Sequence, residues 1–207
     1  MKKYRVFRFW SLGFIMISSI FMMSCNNEDN GGIQETSVLT QTEMDALIFM
    51  IEEEKLARDV YGYLYERWDV VQFQNIKNSE QSHMNAVENL LKFYELEYAI
   101  MQTGIFQNTE LQDIYDTLIA KGETSLVDAL TVGAIIEDLD IKDLENWMLK
   151  IDNPQINNVF ESLQCGSRNH LRAFTTSLEN QEASYAPQYI TQTEYEQIIN
   201  STNEKCK

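Results

Sequence analysis

The chain has 207 residues, with 16 Lys and Arg against 32 Asp and Glu, two His and three Cys, for a net charge of −16. Hydrophobic residues at 44% and charged residues at 23% are ordinary for a globular chain with a sizeable core, which excludes wholesale disorder and favours one domain plus a short extra segment. The acid excess argues against nucleic acid, whose phosphates need a basic footprint, and two histidines leave little room for imidazole chemistry unless both are placed for it.

Residues 1–8 carry Lys2, Lys3, Arg5 and Arg8 and no acid, and Phe9–Met23 is an apolar run broken only by Ser11, Gly13, Ser18 and Ser19. The run is short for a membrane span and has the basic and apolar regions of a signal peptide covering residues 1–24. Loss of its four basic residues from a net charge of −16 leaves −20 on the remainder. Phe21-Met22-Met23-Ser24-Cys25 resembles a bacterial lipobox, with Met22 where Leu is usual. The resemblance implies that Cys25 is lipidated and becomes the mature N-terminus. It also implies a lipid-anchored protein of the cell envelope, on the outer membrane and either periplasmic or surface-exposed. The simpler alternative is a cleaved signal with Cys25 unmodified.

Residues 25–38 read as a flexible acidic tether, Asn26-Asn27-Glu28-Asp29-Asn30-Gly31-Gly32 having little that could enter a core. Acids directly after the cysteine resemble the surface-export signals of some Gram-negative lipoproteins. Cys165 and Cys206 could pair outside the cytoplasm, but spacing does not decide whether they do. No Cys-x-x-Cys is present, which excludes a cysteine-ligated zinc ribbon or rubredoxin-like iron site.

From Thr40 onward the periodicity is helical. Thr40 with Glu43 forms a capping box opening a first helix of about thirty residues. Its stripe runs Leu47, Ile51, Glu54, Ala57/Arg58, Tyr61, Leu64/Tyr65 and Trp68. A second helix over 71–96 carries Phe73, Ile76, Glu80, His83/Met84, Val87, Leu90/Leu91 and Tyr94. A short amphipathic connector with Leu111, Ile114, Tyr115 and Leu118 is closed by Gly122 as a C-cap. The third long helix starts at Thr124 or Ser125 and includes Ile136/Glu137 and Asp140/Ile141. The fourth follows Asn153-Pro154, with Val159/Phe160, Leu163, Ser167, His170/Leu171 and Phe174 on its stripe. A tail beyond residue 192 ends in a short helix over Tyr195–Ile199. Four long helices with a longer link between the second and third fit an all-α four-helix bundle over 39–192 with one crossover connection and a short extra helix.

Each long helix has an ionisable residue where its stripe predicts an apolar one: Glu54, the Glu80/His83 pair, Glu137 and His170. Glu80-Gln81-Ser82-His83 is Glu-x-x-His, whose spacing stacks carboxylate and imidazole on one helix face and matches the motif of ferritin-like di-iron bundles. Alone, the motif arises often by chance in acidic helices, and either histidine taken singly reads equally well as an ordinary core residue. Together, four stripes interrupted at comparable depth need a common explanation, because buried ionisable groups are costly unless paired or metal-bound. Oxygen and imidazole ligands suit iron, manganese or zinc. Glu52 and Glu53 read as a solvated face, although a one-residue shift of the stripe would bring Glu53 inside. Asp140, one turn after Glu137, reads equally as a spare ligand, a hydrogen-bond acceptor for a ligand, or surface.

Glu54-Lys55-Leu56-Ala57-Arg58-Asp59-Val60-Tyr61 resembles the first helix of the ferritin and rubrerythrin superfamily, and Ser79-Glu80-Gln81-Ser82-His83 its second. With Gly166-Ser167-Arg168-Asn169-His170-Leu171-Arg172-Ala173-Phe174, these segments resemble more closely a prokaryotic ferritin-like family known only as a domain of unknown function, DUF2202, over about residues 39–192. The resemblance implies a metal site of Glu54, Glu80, His83, Glu137 and His170, holding a di-iron or di-manganese centre. Its implied activity is oxidation of Fe(II) or scavenging of peroxide, with Tyr61 either relaying an electron or packing. The fourth helix departs from the pattern: Ser167 stands where a second Glu-x-x-His would have its carboxylate, leaving Asp140, water or a single-metal site as the alternatives. Partners expected are metal ions, a membrane through lipidated Cys25, and a second copy of the chain in a homodimer. A non-enzymatic metal-binding or interaction lipoprotein on the same bundle is the competing reading.

Overall fold

The structure is a computed structural model, and it describes residues 38–206. The signal peptide, Cys25 and nearly all of the tether lie outside those residues. The described residues form six helices: α1 (Gln41–Trp68), α2 (Val71–Phe93), α3 (Thr109–Gly122), α4 (Leu126–Met148), α5 (Pro154–Glu179) and α6 (Gln192–Ile199). None is long and apolar enough to cross a membrane.

Local chemistry sets most of the boundaries. The Thr40 hydroxyl accepts the Glu43 N–H at 3.3 Å while the Glu43 carboxylate accepts the Thr40 N–H at 2.7 Å, the reciprocal capping box expected at the start of α1. Asn153 caps α5 ahead of Pro154, its side-chain oxygen accepting the N–H groups of Gln155 and Ile156. Three boundaries differ from the sequence reading. α2 stops at Phe93, short of residue 96, because Glu95 takes a left-handed φ of 54° and Leu96 N–H turns back to Leu91 O at 2.9 Å. This is a Schellman closure, carried by a Glu where Gly is usual. Gly122 is not a left-handed cap but the last residue of α3, and a Cβ there would lie 2.6 Å from Leu64 Cδ2, so the glycine serves helix packing. α6 begins at Gln192, three residues before Tyr195, because Thr191 and Glu194 form a second capping box.

The helices pair as two hairpins, α1 with α2 and α4 with α5, which meet through α1–α4 and α2–α5 contacts. Two apolar clusters fill the bundle, one containing Ile51, Met84, Leu144 and Leu163, the other Leu56, Ile76, Ile136 and Leu171. The order in which each helix passes through them shows that α1 and α5 run one way and α2 and α4 the other. The link from α2 to α4 must therefore travel the length of the bundle, and α3 does so, packed on both α1 and α4.

Between the two clusters every long helix presents polar residues at the same depth: Glu52–Lys55 on α1, Glu80–His83 on α2, Glu137–Asp140 on α4 and Ser167–His170 on α5. Glu52 and Glu53 are not a solvated face, for both are only 2% exposed, and the crossover is what covers Glu52. Glu52 accepts the Tyr98 hydroxyl at 2.6 Å and the N–H groups of Gln107 and Asn108 at 2.7 and 2.8 Å, clasping the crossover chain against α1. Glu53 turns toward α4, where Asp140 and Asp143 act on it.

The C-terminal segment is fastened to α5. Cys165 and Cys206 are joined in a disulfide, with Cα atoms 5.6 Å apart, which settles a pairing the sequence leaves open. Glu204 binds Arg168 and Arg172, with shortest contacts of 2.5 and 2.7 Å, and Arg172 Nε donates to Ile198 O at 2.8 Å.

Candidate metal centre

Nine acidic residues are buried among the described residues, and their partners divide them sharply. Glu43 belongs to the α1 capping box. Glu52, Asp59 and Asp138 hold loops. Asp59 accepts Lys55 Nζ at 2.7 Å, Arg58 Nη2 at 2.6 Å and Gly104 N–H at 3.0 Å. Asp138 accepts the Tyr185 hydroxyl at 2.6 Å and the N–H groups of Gln188, Tyr189 and Ile190. The remaining five, Glu53, Glu54, Glu80, Glu137 and Asp140, face the bundle interior, and four of them keep carboxylate oxygens with no hydrogen-bond partner: both of Glu53, Oε1 of Glu54, Oε1 of Glu80 and Oδ1 of Asp140. A buried polar atom without a partner costs about 1–3 kcal/mol, and more when charged, so such a concentration requires something else to compensate it.

The two histidines lie in the midst of these acids. His83 Nδ1 is 2.7 Å from Glu80 Oε2 and 3.2 Å from Glu54 Oε2. His170 Nδ1 is 2.8 Å from Glu80 Oε1 and 3.5 Å from Glu137 Oε2. The rings stack with centroids 5.7 Å apart. Two triads result, Glu54/Glu80/His83 and Glu80/Glu137/His170, with ligand-capable atoms in each within 4.8 Å of one another. Glu80 belongs to both, one oxygen turned to each. The Glu80 Oε1 to His170 Nδ1 approach is close, yet off the axis a hydrogen bond needs, and both atoms are left without a hydrogen-bond partner. Donor atoms that converge without pairing fit a cation between them, and an all oxygen and imidazole set suits iron, manganese or zinc.

Electrostatics follow from burial and the shared carboxylate. Burial pushes Glu80 upward, but the imidazoles of His83 and His170 outweigh it and hold this carboxyl well below the ordinary range. Burial works against charge on both histidines as well, yet Glu80 and Glu54 raise His83 and Glu80 and Glu137 raise His170, the latter to about 10. Burial raises Glu53, Glu54 and Glu137, and lifts Asp140 to about 8 against the Ser167 hydrogen bond. Without a cation, protons thus neutralise part of the cluster.

All five ligand candidates of the sequence reading are brought together in this layer, with Asp140 beside them. Asp140 is buried, and its Oδ2 accepts the Ser167 hydroxyl, so the serine that replaces the expected fourth-helix carboxylate is engaged with an acid of α4. Tyr61 donates to Glu137 Oε1 at 2.5 Å and sits against Phe73 and Phe174. Gly166 enters the sequence reading only within the family-like segment of the fourth helix, with no role assigned to it. A Cβ there would fall 2.6 Å from His83 Nε2, so the bare backbone of α5 is what lets the His83 ring stand where its Nδ1 faces Glu54 and Glu80. Gly166→Ala should favour the helix by about 0.5–1 kcal/mol and yet destabilise the protein by about 1–3 kcal/mol through overpacking. A lowered melting temperature with displaced His83 imidazole NMR signals is the expected reading; a raised melting temperature with unmoved signals would refute it.

Residues 43–202 match the model of a family described as an uncharacterized protein domain, DUF2202. A Methanocaldococcus jannaschii protein named Uncharacterized protein MJ0754 is 50% identical over 169 residues, spanning 81% of this chain and 91% of that protein. The crystal structure of hypothetical protein MJ0754 from Methanococcus jannaschii superposes with a TM-score of 0.79, covering 80% of this chain and 96% of the other.

Proposed function

The chain belongs to the DUF2202 family, and from the geometry of its bundle core we propose that it is a ferritin-like metal-binding protein whose polar layer holds two metal ions. The observation carrying this reading is the position of Glu80, one carboxylate with an oxygen turned to each of two histidine-containing triads. In this reading Glu54, Glu80 and His83 would hold one metal, and Glu80, Glu137 and His170 the other. Iron or manganese is the resident metal, with zinc as the redox-inert alternative.

Bound iron or manganese supplies one-electron redox chemistry that protein side chains lack, and the activity proposed is oxidation of Fe(II) or reduction of peroxide. The protein's own residues set the conditions. Apolar clusters bound the layer on both sides along the bundle. Tyr61 fixes the orientation of Glu137 through its hydrogen bond. Gly166 sets His83.

The protein is further proposed to be lipid-anchored at Cys25 in the cell envelope. Its Cys165–Cys206 disulfide supports an oxidising compartment.

The deciding experiment is metal analysis of the full-length chain in detergent, followed by addition of Fe(II) with oxygen or peroxide. About two metal equivalents per chain with Fe(II) oxidation is the expected result. A chain that purifies metal-free and cannot be loaded would overturn the proposal. Metal without turnover selects a second reading, a non-enzymatic metal-binding lipoprotein, which the engagement of Ser167 with Asp140 favours because α5 then contributes no carboxylate. The anchor is tested alongside, since Cys25→Ser should move the chain from the membrane to the soluble fraction.

A further inference from the structure

The polar layer has four lateral sides, and three of them are bridged or covered. Toward α1 and α4 lie α3 and the crossover, where Glu52 holds Gln107 and Asn108, Asp59 holds Gly104, and Lys55 Nζ donates to Ile105 O at 3.1 Å. Between α1 and α2, Arg58 Nη1 donates to Gln81 Oε1 at 3.0 Å. Between α4 and α5, Gln164 Nε2 donates to Ile141 O at 3.0 Å and Ser167 donates to Asp140, while Tyr185, Gln188 and Ile190 lie over Asp138.

The fourth side, between α2 and α5, is where the layer reaches solvent. The side chains of His83 and His170 are 13% and 12% exposed, whereas Glu54, Glu80 and Glu137 are each 2% exposed. Each ring turns its Nδ1 inward to the acids, so the imidazoles stand between the carboxylates and the surface. Three contacts between these antiparallel helices set their register: His83 against Gly166, Glu80 against His170, and Phe73 against Phe174. This register places Ser79, one turn from His83, opposite Ala173, one turn from His170. Ser79 is half-buried and Ala173 exposed, so short side chains flank the rings, and the bare backbone of Gly166 leaves the His83 ring its space.

A divalent cation taken through apolar packing would bear the cost of an unpaired buried charge, so its way in must offer donor atoms in succession. Along the bundle the layer is bounded by the two apolar clusters. On the α2–α5 side the imidazole nitrogens come first, and the unpartnered Oε1 of Glu80 lies behind them, 2.8 Å from His170 Nδ1. We propose that metal enters and leaves the two-metal centre across the α2–α5 face, past the imidazoles of His83 and His170, the short side chains of Ser79 and Ala173 leaving that face passable. The inference rests on the two-metal reading and adds the side from which that centre is served. His83 and His170 are then both ligands and threshold.

The test is Mn(II) loading and release in the full-length chain in detergent, each timed against a chelating dye, with bound equivalents counted at equilibrium. Ala173→Phe and, separately, Ser79→Phe put a ring over this face at positions that supply no proposed ligand. Each should slow loading and release alike by about tenfold and keep two equivalents, because an obstacle on a shared path raises the barrier in both directions and leaves affinity unchanged. Asn89→Phe, at an exposed position farther along α2, should change neither rate. In the metal-free chain a neutral nitroxide in solution should broaden the imidazole NMR signals of the two histidines, and Ala173→Phe should lessen that broadening. Two bound equivalents with unchanged rates in both variants would overturn the path while leaving the two-metal centre intact. So would weakened binding at an unchanged loading rate, the mark of a distorted site, or imidazole signals that the nitroxide leaves sharp. Wild type that binds no Mn(II) at all would overturn the two-metal reading together with this one.

Discussion

Under the proposed two-metal reading, Glu80→Gln is expected to empty both metal positions, whereas Glu54→Gln and Glu137→Gln should each empty one. The asymmetry follows from placement: Glu80 Oε2 faces His83 and Oε1 faces His170, while Glu54 and Glu137 each face a single histidine. Glutamine matches glutamate in volume but offers one neutral carbonyl oxygen, so it cannot supply an anionic oxygen to each side. Loss of even an outer partner typically weakens metal binding 10–100-fold, and loss of a ligand common to two positions should exceed that at both. Elemental analysis of the purified variants is the measurement: well under one equivalent for Glu80→Gln, and about one for each of the others. Equal metal loss in all three would mean that Glu80 has no special position. The metal-free protein is affected as well, because Glu80 is the counter-charge nearest to both imidazoles. Removing one partner of a buried ion pair destabilises by about 3–5 kcal/mol, and Glu54 and Glu137 remain to keep the loss toward the lower end.

Cys206→Ser should produce the second large effect, on stability. The disulfide closes a loop spanning a sequence separation of 41 residues, for which the chain-entropy account gives about 4 kcal/mol. In a domain of this size each kcal/mol moves the melting temperature by about 2–4 °C, so a fall of roughly 8–16 °C is expected by calorimetry. Wild type under a reductant should behave alike, and an unaltered melting temperature would show that the crosslink does not constrain the unfolded chain. What then holds the tail is Glu204, accepting from Arg168 and Arg172, with Asn169 bonded to its backbone. Hydrogen bonding from Arg168, with Arg172 adding to it, lowers the Glu204 carboxyl from 4.5 to about 2. A depressed acid stabilises the fold above its unfolded value and ceases to do so as pH falls through its folded one. The Glu204 contribution is therefore full above about pH 4.5 and is lost toward about pH 2. The group is partly exposed and the effect modest, but the gap between Cys206→Ser and wild type should widen over that interval.

The helices and the two triads are largely legible in the sequence for one physical reason. Glu54, Glu80, His83, Glu137 and His170 interrupt otherwise apolar stripes, and a stripe reports the face a helix turns to its neighbours. That reasoning assumes each helix has one buried face, and α1 does not. The crossover covers its far side, so Glu52 and Lys55 are buried off the stripe, Glu53 is buried off it on the side of α4, and Asp138 on α4 is likewise covered by the tail. The loop partners that hydrogen-bond Glu52, Asp59 and Asp138 come from 45 to 56 residues away, as with Asp59 to Gly104 and Glu52 to Asn108, beyond the reach of any local pattern. The end of α2 was obscured by a Glu in a left-handed position that usually marks itself with Gly. The role of Gly166 was obscured because a glycine inside a helix signals close approach without saying of what.

The polar layer also bears on how this scaffold could be redesigned. Replacing Glu53, Glu54, Glu80, His83, Glu137, Asp140 and His170 by apolar residues of matched volume would fuse the two clusters into one uninterrupted hydrophobic column. Exchanges of buried ionic groups for well-packed apolar ones are often neutral or stabilising by about 1–4 kcal/mol. Such a bundle would be sturdier and chemically mute. The natural chain forgoes that sturdiness across its whole width, on all four long helices at one level, as the proposed metal-binding role would require.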